Sequence, residues 1–186
     1  ILSYQAIQED NMSMNKIADI FQVSKTVIKN DMQIKKKIAK VYHFEIDRKQ
    51  HYGIKINGLD KDFKKYLTEE YINGSFFIQT AVNDVTRDFK FVEQSFIGLL
   101  TQENVNVNYN ELLNITDYLK IMVYSASIHS EQDEDYTYQD ITIHRLAKKV
   151  IDVLKGLYHV EFSNESIDGL ITVLNKNLRK RLENIG

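Results

Sequence analysis

The sequence predicts a mainly α-helical protein made of two domains. Its 186 residues include no proline and only seven glycines, so few residues interrupt helices. Apolar residues recur at three- and four-residue steps along most of the chain, which is the spacing of an amphipathic helix. Residues 1–58 carry ten basic against six acidic side chains, and residues 59–186 carry fourteen against twenty. This uneven charge indicates two parts with different partners, the first suited to a polyanion.

The composition excludes several classes of protein. No cysteine is present, which rules out a disulfide framework and thiolate metal sites and is compatible with a cytoplasmic location. No apolar run approaches the ~20 residues that span a bilayer, and no secretory signal is visible. The sequence also contains no phosphate- or dinucleotide-binding glycine motif, no histidine pair at zinc spacing and no nucleophile elbow. We therefore predict a protein that is not an enzyme and has no cofactor, no metal and no membrane partner.

Three helices are predicted at the start of the chain. The first covers residues 1–10, and the second, Met14–Phe21, follows Ser13, whose hydroxyl suits a helix N-cap. A three-residue turn comes next, and Ser24 suits the N-cap of the third helix. Two apolar stripes are predicted along that helix, one of Ile28, Met32 and the stem of Lys35, the other of Val27, Ile34, Ile38 and Val41.

Two helices joined by so tight a turn are typical of a helix-turn-helix, whose second helix enters the major groove of DNA. Four polar residues near the start of the third helix face away from its apolar stripe, namely Lys25, Thr26, Lys29 and Asn30. Because lysine and asparagine can read guanine and adenine edges, we predict that these residues contact bases. Farther along, Lys35 and Lys36 are predicted to contact phosphates, and Lys37 and Lys40 continue the basic surface. The alternative is a surface helix whose lysines provide only solubility.

Two short stretches with alternating apolar residues follow the third helix, at residues 44–46 and 52–56. Between them lies a polar, basic tip that includes Arg48 and Lys49. This pattern predicts a β-hairpin that ends at Gly58. A hairpin directly after a recognition helix is a wing, so Arg48 and Lys49 are predicted to reach a phosphate or the minor groove. The first domain, residues 1–58, is therefore predicted to be a winged helix-turn-helix.

The stretch from Asn15 to Leu67 resembles the winged helix of bacterial transcription regulators of the mannitol-activator, lichenan-activator and Mga type. One part of the resemblance is VSKTVIKNDM, residues 23–32, with its apolar-Ser-basic start and its later Asp-apolar pair. The other part is the wing strand YGIKING, residues 52–58. The resemblance implies sequence-specific binding of double-stranded DNA by a transcription regulator.

Five helices are predicted in the second domain, residues 59–186. They cover residues 59–72 and 76–100 and the neighbourhoods of 110–129, 139–156 and 163–183, with an acidic, solvated loop at 131–135. Five helices in this length form a bundle. Their order, with the stretches NITDYLKIMVYSASI from Asn114 and AKKVIDVLKGLYHVEFSNESIDGLITVLNKNL from Ala147, resembles the regulation domain of the sugar phosphotransferase system, the PRD.

The PRD resemblance implies control by histidine phosphorylation, in which an added charge of about −2 changes how the domains pack. It places the two acceptor positions at Tyr118 and Leu174, and neither residue is a histidine. This departure puts phosphotransferase proteins in doubt as partners and favours a domain that dimerises and relays a signal. His144 is a second, less favoured candidate acceptor, because its position does not match the motif.

The sequence therefore predicts a DNA-binding homodimer in which residues 59–186 regulate residues 1–58. The alternative is a protein-interaction module that uses the winged helix as a docking surface, and measurable DNA affinity at low salt distinguishes the two. RNA antitermination, which related PRD proteins perform, requires a small β-type RNA-binding domain, and the sequence contains no candidate for one.

Overall fold

The computed structural model describes residues 13–43, 45–49, 53–57, 60–128 and 135–182. It confirms a mainly helical protein. Its elements are α1 (Met14–Phe21), α2 (Lys25–Val41), β1 (Glu45–Lys49), β2 (Gly53–Asn57), α3 (Asp60–Ile72), α4 (Phe76–Val85), α5 (Phe89–Gln102), α6 (Tyr109–Ile128), α7 (Thr142–Tyr158) and α8 (Asn164–Leu182). The helix predicted for residues 1–10 lies outside the described residues. No helix in the described ranges is both long enough and apolar enough to cross a membrane.

Capping residues fix where α1 and α2 begin. The Ser13 hydroxyl accepts a hydrogen bond from the Lys16 amide at 3.1 Å, which confirms the predicted N-cap of α1. After α1, Gln22 adopts a left-handed conformation with φ 52°, and its amide closes onto the last turn of that helix. The Ser24 hydroxyl then accepts from the Val27 amide at 3.3 Å at the start of α2.

The second of the two predicted apolar stripes of α2 is exposed at both ends. Ile28, of the first stripe, is fully buried. In the second stripe Val27 is 46% exposed and Val41 is 71% exposed, so no described neighbour covers either end. An amphipathic helix buries one face, and in α2 the buried face is the one that carries Ile28. The side chains of Ile34 and Ile38 lie outside the described part.

The two strands pair antiparallel, from Glu45 opposite Asn57 to Lys49 opposite Gly53. Arg48 stands opposite Ile54 in this register. β1 packs next to α2, so the hairpin follows that helix in space as well as in sequence.

The chain divides into two compact units after Ala81, whereas the sequence placed the domain boundary after Gly58. The difference arises because α3 packs within the first unit. Tyr66 and Leu67 of α3 are buried, and the Tyr66 ring meets the Tyr42 ring edge-on at 5.2 Å between centroids. The first unit is therefore larger than the hairpin-ended domain that we predicted.

The single long helix predicted from Phe76 to Leu100 is wrong, because the chain breaks between α4 and α5. No glycine or proline marks the break. The Thr86 hydroxyl donates to the Val82 carbonyl at 2.7 Å, a bond that competes with regular helix geometry, and Asp88 adopts φ 62°. The Tyr158 hydroxyl then donates to the Arg87 carbonyl at 3.0 Å and holds the turn in place. Residues 60–182 consequently contain six described helices rather than the predicted five.

The second unit is a bundle in which α5, α6, α7 and α8 share one core. α6 packs on α8, α5 packs on α7, and α7 packs on α8. Every residue from 121 to 126 is buried, so the second half of α6 is covered on all sides. Phe96, Leu154 and Leu170 bring the other three helices into the same core.

Candidate nucleic-acid interface

The four residues predicted to read bases lie together on the surface of α2. Lys25, Thr26, Lys29 and Asn30 are all exposed. At about 100° per residue they span an arc of about 140° around the helix. Ile28 lies outside that arc and is fully buried. The packing of Ile28 therefore turns the polar arc toward solvent, at the end of α2 that Ser24 caps.

A stripe of four lysines runs the length of α2. Lys25, Lys29, Lys36 and Lys40 are exposed and fall within an arc of about 60°, over a rise of about 22 Å. Asp31, the acid within α2, lies far around the helix from this arc. We call these four residues the lysine stripe. Its length and single sign of charge suit a groove of a duplex, with Lys25 and Lys29 among the residues predicted to read bases and with Lys36 and Lys40 placed farther along for phosphates.

For the other residues predicted to contact phosphates, the structure describes the position of the backbone only. Lys35 lies in α2, and Arg48 and Lys49 lie in β1, but their side chains are outside the described part of the chain. Lys49 is at the end of β1 that pairs with the start of β2, which puts it beside the hairpin connection.

Neither position that the resemblance gives for a phosphoacceptor carries a fully exposed side chain. Tyr118 in α6 is half-buried, and its hydroxyl lies only 2.1 Å from where a Cβ at Gly169 would stand. Leu174 in α8 is fully buried in the core of the second unit. Both side chains pack α6 and α8 into the bundle.

His144, the less favoured candidate for a phosphoacceptor, is held by a hydrogen bond and by two aromatic neighbours. The Nδ1 atom of His144 accepts a hydrogen bond from the backbone amide of Gln139 at 3.1 Å. The rings of Tyr136 and Tyr138 lie within 6.5 Å of the imidazole centroid. The bond from Gln139 and the two tyrosine rings therefore hold the His144 imidazole in place.

An ion-pair cluster of the second unit was not foreseen from the sequence. Arg145 donates to both carboxylate oxygens of Glu103, at 3.3 and 3.0 Å, and to Asp140 at 2.9 Å. The guanidinium holds the pKa of Glu103 below its usual range, chiefly through these hydrogen bonds. The cluster joins α7 to the end of α5 and stabilises the packing of these two helices. Glu103 and Arg145 are 42 residues apart, so no local pattern signals it.

Two further titratable side chains have shifted pKa values. Burial raises the pKa of Asp117 in α6, and the nearby charge of Lys120 opposes that shift. The pKa of Tyr136 is raised to about 12 by burial and by the hydrogen bond from its hydroxyl to Asp168. Tyr136 thereby ties the segment before α7 to α8.

The described residues contain no group of three or more His, Asp or Glu side chains placed to hold a metal ion. No model of a known protein family matches the sequence, and no curated protein matches it either.

Proposed function

We propose that this chain is a DNA-binding transcription regulator that recognises specific sequences through α2. The lysine stripe is the observation that carries the proposal, since it aligns four positive charges with the groove that α2 would enter. The first two turns of α2 add Thr26 and Asn30, whose side chains can hydrogen-bond to base edges. In this proposal the unit as far as Ala81 acts as a winged helix-turn-helix, with the β1–β2 hairpin as its wing.

We further propose that the second unit is a PRD-like regulatory bundle in a cytoplasmic homodimer. Burial of Leu174 and the packing of Tyr118 against Gly169 support control that does not depend on phosphorylation at these positions. Regulation would then pass through packing between the two subunits of the dimer, and phosphotransferase proteins are not required as partners.

Substitution of single lysines tests the proposal. Selection from a pool of random 30-base-pair duplexes first yields a preferred sequence. Lys36→Ala is expected to weaken binding to preferred and random DNA alike and to reduce the slope of log K against log salt by about 1, because one phosphate contact is lost. Lys29→Ala is expected to cost about 1–3 kcal/mol on the preferred sequence and much less on random DNA.

Lys176→Ala is the matched control, since it removes one exposed lysine from α8 in the second unit. It is expected to leave both affinity and salt slope within error of the parent chain. Fluorescence anisotropy from 50 to 300 mM salt measures all three variants. If the Lys36 and Lys176 variants behave alike, the lysine stripe is not a DNA-binding surface.

A second candidate function is a protein-docking module. The exposed Val27 and Val41 side chains favour it, because α2 presents apolar as well as basic surface. Under this alternative the parent chain binds no duplex even at 50 mM salt, where non-specific phosphate contacts are strongest. The same titration therefore decides between the two functions.

A further inference from the structure

The end of α2 is bonded to a helix outside the predicted DNA-binding elements. α2 ends at Val41, and the hydroxyl of the next residue, Tyr42, donates to the carboxylate of Glu69 in α3. The Tyr42 ring also packs edge-on against Tyr66, one turn earlier in α3. Tyr42 is half-buried, and its polar and apolar parts both face α3.

α3 is firmly placed in the first unit, so it can serve as a support. Leu67 is fully buried and Tyr66 almost so. At its end, the Tyr71 carbonyl accepts a hydrogen bond from the Gln79 side chain of α4 at 2.9 Å. A bond to Glu69 therefore ties the end of α2 to a helix that is itself held by two buried side chains and by a hydrogen bond from α4.

The bond between Tyr42 and Glu69 is of a strong type. A phenol donating to an ionised carboxylate makes a charge-assisted hydrogen bond, which is shorter and stronger than a neutral one. The pKa of Tyr42 is raised to about 12, first by this hydrogen bond and then by burial. The phenol accordingly keeps its proton, and its role as donor, throughout the physiological pH range.

We propose that Tyr42 is a positioning residue for DNA binding, because its bond to Glu69 fixes the last turn of α2 and with it the far end of the lysine stripe. Lys40 lies two residues before Tyr42, and Lys36 about one turn earlier. The hydroxyl is committed to Glu69, so its effect on DNA passes through the orientation of α2. This inference rests on the proposed function of α2.

A double-mutant cycle tests the coupling. Tyr42→Phe keeps the ring packing and removes only the hydroxyl, and Glu69→Ala removes the acceptor. Each is expected to weaken binding of the selected duplex by about fivefold to tenfold, and the double variant by no more than either single one. The salt slope is expected to fall by less than the value of about 1 expected for Lys36→Ala, because all four lysines are retained and only the far end of the lysine stripe is held less firmly. Glu69→Gln retains an acceptor oxygen and is expected to recover part of the loss.

Hydrogen exchange of the free protein provides a second measurement that does not involve DNA. Tyr42→Phe is expected to speed amide exchange in the last two turns of α2, as Glu69→Ala does. Tyr109→Phe, which removes a tyrosine hydroxyl at an exposed position in α6, is the control and is expected to change neither exchange nor affinity.

Each contrary result has a separate meaning. Failure of the parent chain to bind any duplex overturns the proposed function itself. Binding by the parent chain with an unchanged affinity in Tyr42→Phe overturns the positioning role while leaving the function intact. Losses that multiply in the double variant show that Tyr42 and Glu69 act independently of their bond, and they also overturn the positioning role.

Discussion

At the scale of single residues, burial of the Asp117 carboxyl works against folding. It lies half-buried in α6, directly after the buried Thr116. Burial raises its pKa, so the folded protein resists the charge that the unfolded chain accepts freely. Between the ordinary and the raised pKa the folded state binds more protons, and stability falls as pH rises through that window.

Asp117→Asn is therefore expected to raise the free energy of unfolding at pH 7, because the amide carries no charge to desolvate. The gain should shrink as pH falls toward the ordinary aspartate pKa of about 3.9, where the unfolded chain also becomes protonated. Urea melts between pH 3 and pH 8 measure this. Asp152→Asn, at an exposed position in α7, is the control and should show no such dependence. A loss of stability at pH 7 in Asp117→Asn would contradict the argument.

At the scale of elements, the contact between α6 and α8 depends on a missing side chain. Gly169 lets the Tyr118 hydroxyl approach to 2.1 Å from the position a Cβ would take. One turn before Tyr118 and two turns after Gly169, the Asn114 amide donates to the Asn177 side chain at 3.2 Å, so the two helices also meet there. Close approach at a glycine and a polar bridge together set how these helices pack.

Gly169→Ala is expected to lower the free energy of unfolding by about 1–3 kcal/mol, because the new methyl group must displace the tyrosine. Adding Tyr118→Phe should recover part of the loss, since the nearest remaining ring carbon lies 3.3 Å away. Gly156→Ala is the control: an added Cβ in α7 meets no atom within 4 Å and should stabilise the helix by up to ~1 kcal/mol. Equal stability of Gly169→Ala and the parent chain would show that α6 and α8 are not closely packed there.

The sequence predicted correctly those features of the helices that depend only on nearby residues. Ser13 gave the start of α1, and the lysine spacing along α2 gave its basic face, because both depend on helix periodicity and capping alone. The break before α5 depends on Thr86 bonding back to Val82 and on Asp88 tolerating a left-handed backbone, and neither residue type is a strong breaker. The pattern of apolar residues continues across it, so periodicity predicted one long helix.

Contacts between distant residues explain the parts that the sequence did not reveal. Tyr42 and Glu69 are 27 residues apart, and nothing near either one indicates that they meet. The same holds for α3, whose apolar residues fit either unit until its contact with Tyr42 assigns it to the first. The support that α3 gives to α2 was therefore missed, and the compact unit that contains α2 extends past Gly58 to Ala81.

At the scale of the whole molecule, charge separates the two units. Residues 1–81 carry thirteen basic and ten acidic side chains, and residues 82–186 carry eleven and sixteen. A net charge near +3 favours binding of the first unit to a DNA duplex, and a net charge near −5 disfavours binding of the second. The second unit is therefore expected to make no contacts with the phosphates. Affinity then depends on a short basic surface, and pairing two such surfaces in a dimer is the direct way to increase it.

A dimer predicts a fixed spacing between two half-sites of the operator. The centres are expected about 34 Å, or one helical turn, apart, so that both copies of α2 enter the groove from one side. Inserting 5 base pairs between the half-sites turns one to the opposite side and should abolish cooperative binding, whereas inserting 10 restores the side and some of the affinity. Gel shifts on the three duplexes, with sedimentation to count protomers, measure this. Equal binding to all three would show that each chain binds DNA as an independent monomer.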